Sequence, residues 1–169
     1  LQQEAPDDAR LLPCVFKSLD ADPSNDEAAF LAETLLAATG NLQHVQKLQD
    51  RRVSHCSTPQ DRLRALLSAA NVWQVRLNKP EMASYFYHQA LELAVSLGEF
   101  DVGFGDEWHL AAFRQLVQTA DASGNADALV PLAERAIAVL DDVDAAILAL
   151  SAGELAWKKF KDVDTARHF

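Results

Sequence analysis

Residues 64–93 read Arg64-Ala-Leu-Leu-Ser-Ala-Ala-Asn-Val-Trp-Gln-Val-Arg-Leu-Asn-Lys-Pro-Glu-Met-Ala-Ser-Tyr-Phe-Tyr-His-Gln-Ala-Leu-Glu-Leu93. Before Asn78, apolar residues recur at helical spacing: Leu63, Leu66, Leu67, Ala70, Trp73 and Leu77 form one stripe. After it, Ala83, Tyr87, Ala90, Leu91 and Ala94 form a second, which stops before Gly98. Between them, Asn78-Lys79-Pro80-Glu81 is a turn with Pro at the start of a helix, where its missing N–H costs nothing. Ser57-Thr58-Pro59-Gln60 gives the same start signal to the first helix. The stretch predicts two antiparallel helices and no strand.

The same reading extends to both sides. Residues 26–39 carry a helical stripe that Gly40 stops, and a second amphipathic stretch runs from Asn41 to about Ser54 through Leu42, Val45, Leu48 and Val53. Residues 106–122 pair with 126–140, and 143–160 pairs with a helix that starts at Asp162. Residues 7–21 form a helix ahead of the first pair. Pro131 falls inside the predicted 126–140 helix, which it should kink or start late. The turns within pairs fall at Gly40, Asn78, Gly124 and Lys161, steps of 38, 46 and 37 residues. Helix pairs repeating every ~34 to 47 residues mark an α-solenoid, in which a pair buries its face only against its neighbours. A closed helical bundle is the alternative.

Composition agrees. Alanine and leucine number 29 and 24, against two isoleucines and twelve valines, which favours helix over sheet. The chain of 169 residues has a formal charge of −10, which speaks against binding nucleic acid or an anionic membrane. Cys14 and Cys56 cannot make a disulfide framework. No apolar run is long enough to span a membrane, and no signal peptide is visible in Leu1–Phe16. A cytoplasmic location is the default expectation, with an upstream signal left open.

Residues 64–93 resemble one tetratricopeptide repeat. Ala83, Tyr87 and Ala90 stand where the family places small, aromatic and small residues, and Ala90-Leu-Glu-Leu93 matches its closing phrase. Leu67, Ala70, Asn71 and Gln74 depart from the family's first-helix pattern, while Trp73 supplies an aromatic one place early. Leu19-Asp-Ala-Asp-Pro23 is similar to the end of a preceding repeat, and Ala166 follows Lys161 as Ala83 follows Asn78. The resemblance implies one tetratricopeptide-like domain over residues 1–169, a right-handed α-solenoid of divergent pairs at about 26–54, 60–97, 106–140 and 143–169. Both ends fall inside a repeat, so the resemblance implies a piece of a longer array.

That family binds partner proteins or peptides along a concave groove lined by the first helix of each pair. Carried over by position, the groove comprises Glu27, Phe30 and Thr34 in the first pair, and Ser68, Val72, Val75 and Arg76 in the second. The third pair contributes Arg114, Gln118 and Asp121, and the last Ser151, Lys158 and Lys159. The expectation is a non-enzymatic scaffold or adaptor without cofactor. The alternative is a regulatory or ligand-sensing domain of a larger multidomain protein.

Reactive chemistry is sparse. His44 and His55 lie three turns apart, and His55-Cys56 face different directions, so no metal site assembles. Glu107-Trp-His109 and Glu81 with His88 are unremarkable acid–base neighbours. Gly103-Phe-Gly105 lacks the Lys-Ser/Thr sequel of a phosphate loop. Cys14 reads as an inert core thiol. Charge, however, is sorted. Residues 44–79 hold seven bases against two acids, and residues 81–154 hold thirteen acids against two bases, an asymmetry that self-association or an elongated partner could use. The long connection Leu97–Trp108 carries Phe100, Phe104 and Trp108 at four-residue spacing; these either fold back on the helices or offer an aromatic hook.

Overall fold

The computed structural model describes residues 8–22, 25–105, 107–123 and 126–169. Among them there is helix and no strand. The chain divides into two compact units, Leu1–Ala65 and Leu66–Phe169.

In the first unit, α1 (Asp8–Ala21) packs on α2 (Asp26–Ala38), and α2 on α3 (Leu42–His55). Asn25 caps α2, its side-chain oxygen accepting from the Ala28 N–H at 2.9 Å. Gly40 takes the left-handed conformation (φ 72°) that turns α2 into α3. The core is Val15, Leu19, Ala29, Ala32, Leu35, Leu36, Val45 and Leu48. Glu33 and Gln49 are buried in it, with the Gln49 amide donating to the Glu33 carboxylate at 3.1 Å. Cys14 corrects the sequence reading. It is exposed, because Val15 and Leu19 set the inward stripe of α1 and Cys14 lies about 100° around from Val15.

The start of α4 (Pro59–Asn71) follows its sequence signal. The Thr58 hydroxyl accepts from the Asp61 N–H at 3.1 Å and donates to the Asp61 carboxylate at 2.6 Å, a reciprocal cap around Pro59. The boundary between the units falls within α4, at Ala65 and Leu66.

The second unit continues through a π-helical turn, π1 (Val72–Arg76), and then α5 (Pro80–Leu97), α6 (Trp108–Ser123), α7 (Ala126–Ile137) and α8 (Asp142–Leu155). A second π-helical turn, π2 (Ala156–Phe160), leads into α9 (Val163–His168). The two π turns are a feature the apolar spacing did not foresee. They sit at nearly equivalent places, each shortly before a non-glycine residue in left-handed backbone: Asn78 (φ 49°) comes after Leu77 beyond π1, and Lys161 (φ 56°) directly follows π2. Gly124, the remaining turn residue, lies outside the described residues. Pro131 does not delay α7, which starts at Ala126 and carries it in its sixth position. The lost backbone bond is outweighed by burial of Leu129, Leu132, Ala133 and Ala136 along the same helix.

Packing follows chain order. α5 lies along α6, α6 meets α7 and α8, α7 lies along α8, and α8 meets α9. α6 therefore contacts the preceding pair's second helix, its own partner and the next first helix. Ala83, Ala90 and Ala94 of α5 are fully buried where it meets its neighbours, and Phe86 fills the space beside them. Small residues permit the close approach.

Candidate partner-binding surface

Each first helix in the second unit has one buried and one open side. In α4 and π1, Leu66, Leu67, Ala70 and Trp73 face inward, while Ser68, Val75 and Arg76 are exposed and Val72 is half-buried. In α6, Phe113 and Leu116 are buried, while Arg114 and Gln118 are exposed. In α8 and π2, Leu148, Ala152 and Leu155 are buried; Lys158 is exposed, and Ser151 and Lys159 are half-buried. Asp121 lies in the last part of α6, and its side chain is outside the described residues.

The positions fall into rows when the turns are aligned. Ser68, Arg114 and Ser151 share one place on successive first helices, and Val75 shares another with Lys158. Polar contacts tie these helices together beside the rows. The Tyr87 hydroxyl donates to the Gln74 carbonyl at 2.7 Å, and the Gln74 amide reaches the Gln115 carbonyl at 3.4 Å, placing π1 against α6 next to Arg114. Burial pushes the Tyr87 phenol above its ordinary value. Ser84 of α5 and Thr119 of α6 exchange a buried hydroxyl bond at 2.5 Å. Lys158 donates to Glu154 at 2.9 Å, one turn earlier on its own helix. In the first unit, Glu27, Phe30 and Thr34 share an exposed face of α2, and the Thr34 hydroxyl donates to the Phe30 carbonyl at 2.7 Å.

The long connection folds back. The Trp108 indole N–H donates to the Phe100 carbonyl at 2.7 Å, and the Phe100 ring meets the His109 ring edge-on at 5.2 Å. Val102 is buried. Phe100 and Trp108 are thus taken up in packing, whereas Phe104, between Gly103 (φ 70°) and Gly105 (φ 112°), is 38 % exposed.

His109 is the residue that sequence reading undervalued. It is 2 % exposed, and its Nε2 lies 2.8 Å from an Asp144 carboxylate oxygen, joining the starts of α6 and α8. Its Nδ1 is buried without a partner. The signal was in the register rather than in the neighbours of His109. Aligning the turns places it with Leu63, a fully buried apolar position, which marks a buried histidine in need of a distant partner. His44 and His55 are exposed and bonded locally, to Asn41 at 2.6 Å and to the Arg51 carbonyl at 2.8 Å. Among the described residues no three His, Cys, Asp or Glu side chains are grouped to hold a metal. No helix among them is long and apolar enough to cross a membrane.

The described residues are all-α, and within each unit the helices pack against their neighbours in the chain. No profile of a known protein family matches the chain, and no curated protein resembles it significantly.

Proposed function

We propose that this chain is a non-enzymatic interaction module, a tetratricopeptide-like right-handed solenoid that holds an extended or helical segment of a partner protein. The side formed by Ser68, Val75, Arg76, Arg114, Gln118 and Lys158 would receive it. The supporting observation is the contrast within single helices: these six residues are exposed, while Leu67, Ala69, Trp73, Phe113, Gln115, Thr119 and Leu155 of the same helical stretches are buried. Val75 beside Arg76 offers an apolar contact next to a cation. Arg76 and Arg114 can each bond a carboxylate or a backbone carbonyl through two N–H groups, whereas Lys158 acts as a point charge. A groove so lined suits a partner segment that alternates apolar and acidic residues. A distinct surface is available at Phe104, whose aromatic ring stands out from the folded-back loop.

Selection of peptides that bind the immobilised chain, followed by titration against variants, tests this reading. Arg76→Ala combined with Arg114→Ala should weaken the selected peptides about tenfold or more and reduce the salt dependence of binding, with the melting temperature nearly unmoved. Peptides that bind the double variant as tightly as the wild type, but lose affinity with Phe104→Ala, would move the site to the loop.

A further inference from the structure

We draw no further inference here: the strongest candidate, the exposed apolar row of Val143, Leu150 and Trp157 along α8 and π2, carries nothing because nothing in the structure shows what covers it.

Discussion

Ala83 and Ala90 are fully buried between α5 and its neighbours, so they have no space for a longer side chain. Ala83→Leu or Ala90→Leu should destabilise the fold by about 1 to 3 kcal/mol through overpacking, read as a lower midpoint in urea. Glu92→Gln, at an exposed bond to Arg135, should change it by under ~1 kcal/mol. Equal effects from the two classes would mean that the packing face is misassigned. His109 poses a different residue-scale problem. One of its nitrogens already lacks a partner, and Asp144 satisfies the other. Asp144→Ala should therefore cost about 1 to 3 kcal/mol, the penalty of leaving a buried polar group unbonded. A loss no larger than that of Asp142→Ala would show that the pair adds nothing. The alanines were legible from the sequence because size and spacing are local. The His109–Asp144 pair was not, since its members are 35 residues apart and meet only when α8 packs on α6.

Elements were legible where a helix starts or stops on short-range chemistry. The expected start at Asp162 is present, with its carboxylate accepting from the N–H groups of Asp164 and Thr165 at 3.1 and 3.0 Å. The Thr165 hydroxyl bond, together with those N–H bonds, holds the Asp162 carboxyl below its ordinary value. Asp141 does the same for α8, accepting from Val143 and Asp144. Asp141→Ala should lower stability by about 1 kcal/mol, while Asp141→Asn, which keeps an acceptor, should recover most of it. If both variants melted alike, the cap would be contributing only its charge. Pro131 and Cys14 show where reading an element from local rules fails. Proline predicted a kink or a late start, and of these the late start is absent, since α7 begins at Ala126 with Pro131 inside it. Cys14 has an apolar side chain beside an apolar stripe, and one step of about 100° put it outside.

At the scale of the molecule, periodicity was the informative quantity. The spacing of turns foretold helix pairs, and the packing of α5 through α9 in chain order follows it. The surface was less legible, because exposure depends on which side of a helix its neighbours leave uncovered. Leu67, Phe113 and Leu150 are interchangeable as sequence, yet only Leu150 meets solvent. The π turns have a further consequence, for how the chain tolerates changes of length. A π turn is a stretch of helix holding one residue more than the α pitch requires. Removing one residue from 72–76 or 156–160 lets the backbone relax to the ordinary pitch while the helix before it keeps its orientation. Removing one from 66–70 instead turns every preceding side chain of α4 by about 100° relative to those that follow. Single-residue deletions scanned along the chain should thus be accepted at the two π turns and rejected in the adjoining α-helices, read as soluble, cooperatively melting protein. Equal intolerance at both places would mean that the extra residue is itself required for the turn that follows.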